Sequence, residues 1–123
     1  DTNIYSLAFR GDSEVVSELR HLEFIGFSPI SIGELLSGFR AGKHEKRNRK
    51  QLAEFLDSPR VHILTIDEDT ADFYSTIHRQ LKDSGTPIPT NDLWIAACAF
   101  QQGLPLFTRD KHFEKIENLN FYI

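Results

Sequence analysis

The chain has 123 residues, 40% hydrophobic and 26% charged, a composition that is typical of globular proteins and excludes disordered and fibrous classes. Its single cysteine excludes a disulfide framework and a thiolate zinc site. The longest apolar run, Leu93 to Phe100, is far shorter than the roughly 18 residues that a membrane-spanning helix needs. We therefore expect one cytoplasmic domain over residues 1–123, with no membrane contact.

The predicted elements alternate between helices and strands along the chain. Helices are predicted to begin at Asp12 or Ser13, at Ser31, in the basic segment before Leu52, at Thr70, at Asn91 or Asp92, and at Lys111. Strands are predicted at Phe24–Phe27, Val61–Ile66, Leu104–Thr108 and Phe121–Ile123. The region from Gly38 to Gly42 is expected to bend the chain. This alternation predicts an α/β fold in three α/β/α layers, with a central, mostly parallel sheet.

Four carboxylates stand out in this arrangement: Asp1, Glu34, Asp92 and Asp110. Each also has a structural explanation. Ser31 and Glu34 have the spacing of a capping box, and the helix dipole alone favours an acid at position 92. Asp1 and Asp110 are typical turn or cap residues. Taken singly, none of the four indicates a function.

Taken together, the acids are harder to explain by structure alone, because three of them lie at predicted strand ends or at the helix starts beside them. Ligands of parallel α/β sheets bind at that edge. Several carboxylates in one pocket repel each other unless a cation lies between them, and Mg²⁺ and Mn²⁺ take oxygen ligands. Such a metal can activate a water molecule for attack on a phosphodiester. We therefore expect a metal site.

A basic segment contrasts with the acidic remainder of the chain. The formal net charge is −4, which alone argues against nucleic-acid binding, yet six of the 14 basic residues fall between positions 40 and 50. These six are Arg40, Lys43, Lys46, Arg47, Arg49 and Lys50. The segment is a candidate RNA contact, with Arg40, Lys43, Lys46 and Arg47 as the residues we select. A solvated helix face or an edge that binds a protein partner remains an alternative.

Four segments resemble the ordered motifs of VapC-type PIN domains, the toxin ribonucleases of type II toxin-antitoxin pairs. They are Asp1-Thr2-Asn3-Ile4, Ser31-Ile32-Gly33-Glu34-Leu35, Pro89 to Ala97, and Leu106 to Phe113. The match spans nearly the whole chain. Each motif alone is weak, whereas four in this order and spacing are specific.

The resemblance implies a function and a set of site residues. It implies a Mg²⁺- or Mn²⁺-dependent endoribonuclease with Asp1, Glu34, Asp92 and Asp110 as catalytic metal ligands, and Asn3 and Thr108 as supporting polar residues. It also implies an RNA substrate, a cognate antitoxin protein and a homodimer. Members of the family have a short apolar strand before the first aspartate, so we expect the first strand upstream of residue 1.

Two other functions remain open. A PIN-like module can bind RNA or a partner without cutting, although four retained acids disfavour this. A phosphoryl-transfer domain of the receiver or haloacid-dehalogenase kind needs a nucleophilic Asp in an Asp-x-Asp motif, and Asp1 is followed by Thr and Asn. No pair of the five histidines has zinc-motif spacing, so we assign none to catalysis. Trp94 is expected in the core or at an interface.

Overall fold

The computed structural model describes residues 1–122, so the end of the last predicted strand, Ile123, lies outside the described residues. The helices are α1 (Thr2–Phe9), α2 (Ser13–Arg20), α3 (Pro29–Ala41), α4 (Glu45–Leu56), α5 (Glu68–Asp83), α6 (Thr90–Gln102) and a 3-10 helix (Lys111–Lys115). The strands are β1 (Ile25–Phe27), β2 (Val61–Ile63), β3 (Leu106–Phe107) and β4 (Phe121–Tyr122). Both strand pairs are parallel, which confirms the α/β class.

The chain divides into two compact units. The first, called the N-terminal unit, consists of Thr2 and Ile4–Leu64. The second, called the C-terminal unit, consists of Asp1, Asn3 and the described residues from Thr65 onward. Each unit contains one parallel strand pair, β1–β2 in the first and β3–β4 in the second.

An aromatic core holds the N-terminal unit together. Ile25 pairs with Val61, and Phe27 with Ile63, in the β1–β2 ladder. Phe27 is 6% exposed and packs with Tyr5 and Phe55, whose ring centroids lie 5.1 Å apart in an edge-to-face contact. Edge-to-face aromatic pairs add roughly 0.5–1.5 kcal/mol beyond the burial of their area. Burial also raises the pKa of Tyr5 to about 12.

Helix α6 is the central element of the C-terminal unit. Ala96 and Ala97 are fully buried, and the neighbouring side chains from Ile95 to Ala99 are buried with them. The apolar run from Leu93 to Phe100 therefore belongs to a helix that is apolar nearly all round and packed on several sides. Gly103 ends it in the left-handed conformation with φ 62°. Phe113 of the 3-10 helix is fully buried and anchors the segment after β3.

The start of α3 corrects a prediction. Ser28, rather than Ser31, caps the helix, and its hydroxyl accepts a hydrogen bond from the Ile30 backbone N–H at 3.1 Å. Pro29 at the first helical position has the fixed φ that a helix start needs, so the helix begins before Ser31. The capping box at Ser31 and Glu34 was therefore wrong, and Glu34 needs another explanation.

Other boundaries differ in smaller ways. Helix α1 was not predicted, and α3 continues through Gly38 as far as Ala41, so the bend lies at Gly42 and Lys43. The Val61 strand ends at Ile63 rather than at Ile66. Among residues 1–122, no helix combines the length and apolar character needed to span a membrane.

Candidate active site

Asp92 is positioned by the first turn of α6. Its backbone N–H donates to the carbonyl oxygen of Pro89, the N-cap residue of the helix, at 3.0 Å. The buried side chains that follow, beginning with Leu93, fix the helix in the C-terminal unit. A carboxylate in a first turn is stabilised by the positive end of the helix dipole. The half-buried Asp92 side chain is therefore held on a rigid element.

Asp110 follows β3 and caps the 3-10 helix. Its Oδ1 accepts a hydrogen bond from the His112 backbone N–H at 2.9 Å. The Nδ1 atom of the His112 ring lies 3.3 Å from the same oxygen. The carboxylate is thus oriented by both the backbone and the ring of His112.

Asp92, Asp110 and His112 lie close together although 20 residues separate the first from the last. Each offers one metal-ligating atom, and these atoms all lie within 4.8 Å of one another. The structure therefore brings together two of the four predicted acids. It adds His112, to which the sequence assigned no catalytic role.

A hydrogen-bond chain within the C-terminal unit connects Asp1 to Asp110. The Thr108 hydroxyl donates to Asp1 Oδ2 at 2.7 Å and accepts from the Asp110 backbone N–H at 2.9 Å. A hydroxyl has one proton and two lone pairs, so Thr108 can make both bonds at once. The nitrogen of Asp1 also donates to the Phe107 carbonyl oxygen at 2.6 Å. Thr108 therefore fixes the Asp1 carboxylate relative to the start of the Asp110 turn.

Glu34 lies in the N-terminal unit and has a different partner. Its Oε1 accepts a hydrogen bond from the Thr2 hydroxyl at 2.7 Å. The hydroxyls of Thr2 and Ser31 are 2.9 Å apart, and Ser31 is 2% exposed. Because the single Thr2 proton is directed to the carboxylate, Ser31 is the donor to Thr2. Ser31 thus orients Glu34 through Thr2 instead of capping the helix.

Asp1 and Glu34 are the first two of the four acids along the chain, and a threonine hydroxyl binds each of them. Asp1 is bonded to Thr108, and Thr2 is bonded to Glu34. Asn3 is exposed on α1, and its supporting role stays a prediction. The roles of Thr2 and Ser31 were missed, because a side-chain bond across about 30 positions leaves no periodic signal in the sequence.

The four selected basic residues are exposed and belong to the N-terminal unit. Arg40 lies near the end of α3, Lys43 between α3 and α4, and Lys46 and Arg47 on α4. The guanidinium of Arg40 lies 4.0 Å from Glu45 Oε2. Exposed pairs of this kind contribute little to stability. With six basic residues between positions 40 and 50, the segment has a net positive charge.

The donor atoms fit a divalent cation. The carboxylates of Asp92 and Asp110 are the hard oxygen donors that Mg²⁺ and Mn²⁺ prefer. Imidazole suits softer transition metals better, and the His112 ring already lies against Asp110. We therefore interpret His112 as the residue that orients the Asp110 carboxylate.

Comparison with known proteins identifies the family. A family model described as "PIN domain" matches residues 1–119, so the chain belongs to the PIN-domain family. Ribonuclease VapC1 of Methanocaldococcus jannaschii is 35% identical over 105 residues, which are 85% of this chain and 75% of that protein. Ribonuclease VapC5 of Mycobacterium tuberculosis is 30% identical over 88 residues, 72% of this chain and 65% of that protein, slightly less than two thirds.

A solved structure gives the same similarity over more of the chain. VapBC2 from Rickettsia felis, bound to a DNA fragment from its promoter, matches with a TM-score of 0.89 at 28% identity. The match covers 99% of this chain and 94% of that chain. Within the PIN-domain family, the similarity is therefore to proteins of the VapC type.

Proposed function

We propose that this chain is a divalent-metal-dependent endoribonuclease that hydrolyses RNA phosphodiester bonds as the toxin of a toxin-antitoxin pair. The observation that carries the proposal is the close approach of Asp92 and Asp110, whose ligand atoms lie within 4.8 Å together with that of His112. The relatives that are named ribonucleases support the same activity. The chain acts as one PIN domain over residues 1–123.

The four acids Asp1, Glu34, Asp92 and Asp110 are the proposed metal ligands. These acids would hold Mg²⁺ or Mn²⁺, and the ion would supply activation of a water molecule and neutralisation of the charge that develops on the phosphate. Thr108 holds Asp1 in place by its hydrogen bond. Asn3 is the further polar residue that we assign to the surroundings of the acids.

The basic segment is the proposed contact to the RNA backbone. Lys43, Lys46 and Arg47 carry exposed cationic groups, and Arg40 adds another beside Glu45. Phosphate contacts of this kind are independent of base sequence and weaken with salt. This segment thus provides affinity, whereas the acids provide the chemistry.

RNA cleavage tests the proposal. We expect purified wild-type protein to cleave a labelled RNA in Mn²⁺ or Mg²⁺ and to stop when EDTA is added. Asp110→Asn keeps the shape of the side chain but removes its charge, and we expect it to abolish cleavage. The matched control is Asp72→Asn, an exposed residue of α5 outside the cluster, which should cleave like wild type. RNA binding without metal-dependent cleavage would instead support the noncatalytic alternative.

The proposed partners are a cognate antitoxin protein and a second copy of this chain, in the cytoplasm. Phe9 on α1 is 48% exposed, stacked on Tyr5 with ring centroids 4.5 Å apart, and a binding partner would cover such an aromatic surface. The similarity to the solved structure of VapBC2 from Rickettsia felis supports an antitoxin partner. Co-expression with a cognate antitoxin should give a complex that Phe9→Asp weakens. Sedimentation that shows only monomer at micromolar concentration would contradict the homodimer.

A further inference from the structure

A cavity of about 440 Å³ opens beside the start of α6 in the C-terminal unit. This volume falls in the roughly 300–1,000 Å³ range of ligand pockets. Residues of α5, of the segment after it and of the start of α6 line the cavity, among them Tyr74, His78, Lys82, Ile88, Thr90 and Leu93. None of these residues has a role in the proposed metal chemistry.

Flat rings form one wall of this cavity. Tyr74 and His78 are one helical turn apart on α5, and their rings are nearly parallel, 10° apart, with centroids separated by 6.0 Å. Tyr74 also stacks on Trp94, with ring centroids 4.3 Å apart. The Trp94 contact fixes the half-buried Tyr74, whereas the His78 ring is exposed. A planar aromatic ligand can stack against such a wall.

The remaining lining suits a nucleotide. Lys82 follows His78 by one turn on the same face of α5 and adds an exposed ammonium group. Ile88 and Leu93 add apolar side chains to the lining. A flat ring, a cation and apolar walls are the combination with which proteins bind the bases and backbone of single-stranded nucleic acid.

The cavity and the acid cluster both include a residue of the first turn of α6. Thr90 lines the cavity, and Asp92, two residues later, belongs to the cluster. The two side chains point to different sides of the helix, about 200° apart around its axis, and a helix with its side chains is about 10–12 Å wide. An RNA strand with one base in the cavity therefore has to pass the start of α6 to place a phosphate at Asp92.

We propose that this cavity is a subsite for one nucleobase of the RNA strand, flanking the phosphate that binds at the acid cluster. The base stacks on the His78 ring beside Tyr74, and Lys82 contacts a phosphate oxygen. This assignment rests on the ribonuclease function proposed above. It adds a contact that recognises a base, whereas the basic segment contacts only the backbone.

The test measures binding separately from cleavage. Fluorescence anisotropy gives the Kd of a labelled single-stranded oligoribonucleotide in EDTA, where no metal-dependent cleavage occurs. We expect His78→Ala to raise the Kd about tenfold, and His78→Phe, which keeps a flat ring, to restore it. The matched control is His62→Ala, because His62 is also exposed and stacked on Phe24 but does not line the cavity. This control should bind like wild type.

A second probe isolates the base. With an abasic oligoribonucleotide of the same length, we expect wild type and His78→Ala to bind equally. An unchanged Kd in His78→Ala with the normal RNA, or no binding by wild type, overturns the subsite. A change in the sedimentation of RNA-free His78→Ala also overturns it, because the cavity is then an interface between copies.

The subsite and the proposed function fail in different ways. If wild type binds RNA in a ring-dependent manner but does not cleave it in Mn²⁺, the nuclease function is wrong and the subsite stands. If wild type cleaves RNA and the ring has no effect on the Kd, the subsite is wrong and the nuclease function stands.

Discussion

Replacing Thr108 by Val tests whether this residue positions the metal-binding acids. The two side chains have nearly the same shape, but Val loses the bond to Asp1 Oδ2 at 2.7 Å and the bond from the Asp110 N–H at 2.9 Å. A hydrogen bond to an ionised group contributes about 1.5–3 kcal/mol, and a neutral one about 1 kcal/mol. Thr108 is half-buried, so water replaces part of the loss. We expect the free energy of unfolding to fall by about 1–2 kcal/mol.

The same substitution should affect metal binding more than stability. Residues that orient metal ligands change affinity or activity about 10- to 100-fold when they are replaced. We therefore expect Thr108→Val to weaken Mn²⁺ binding and RNA cleavage to that extent. Urea denaturation, calorimetric titration with Mn²⁺ and a cleavage assay give the three quantities.

Two further variants control this experiment. Thr108→Ser keeps the hydroxyl and should restore both hydrogen bonds and the Mn²⁺ affinity. Thr76→Val removes an exposed hydroxyl of α5 that lies 3.3 Å from a carbonyl oxygen, and should leave all three quantities unchanged. Unfolding free energy and Mn²⁺ affinity equal to wild type in Thr108→Val would refute the positioning role.

Three other predictions concern stability. Arg60→Ala should lower the free energy of unfolding by about 1–2 kcal/mol in urea, because Arg60 Nη1 donates to carbonyl oxygens at the end of α2, that of Leu22 at 2.6 Å among them. Gly103→Ala should lower the free energy of unfolding by about 1 kcal/mol, and with it the melting temperature, because φ at Gly103 is 62°. Gly38→Ala inside α3 has open space at the Cβ position, so it should raise the free energy of unfolding by about 0.5–1 kcal/mol, and with it the melting temperature. Hydrogen bonds from the Thr70 backbone and other donors lower the pKa of Asp67 below its ordinary 3.8. The stabilisation of the fold by the ionised Asp67 is therefore present above that value and is lost as the pH falls through the lowered pKa. Asp67→Asn should flatten the dependence of the melting temperature on pH in acid.

The sequence predicted the parts of the fold that depend on local pattern. The continuous apolar run after Asp92 lies within α6, whose start was expected at Asn91 or Asp92 and lies at Thr90. Asp110 was expected directly after a strand, and the structure has it there, after β3. These features follow from helical periodicity and from backbone conformations that few residues adopt.

Other features depend on contacts between distant positions and could not be predicted. Ser31 and Glu34 match a capping box by spacing, but Pro29 starts the helix earlier and Thr2 takes the carboxylate. His112 joins the acids because the Asp110 cap turns the chain there. Side-chain geometry of this kind depends on tertiary packing, which a single sequence does not display.

The most direct test of the account is the response of Asp92→Asn to Mn²⁺. The carboxylates of Asp92 and Asp110, with ligand atoms within 4.8 Å of each other in partly exposed positions, repel each other by about 1 kcal/mol, so removing one charge should keep or raise the melting temperature without metal. The stabilisation that Mn²⁺ gives to wild type should be lost in the variant, and RNA cleavage with it. Full cleavage and an unchanged rise of melting temperature with Mn²⁺ in Asp92→Asn would contradict the proposed metal site.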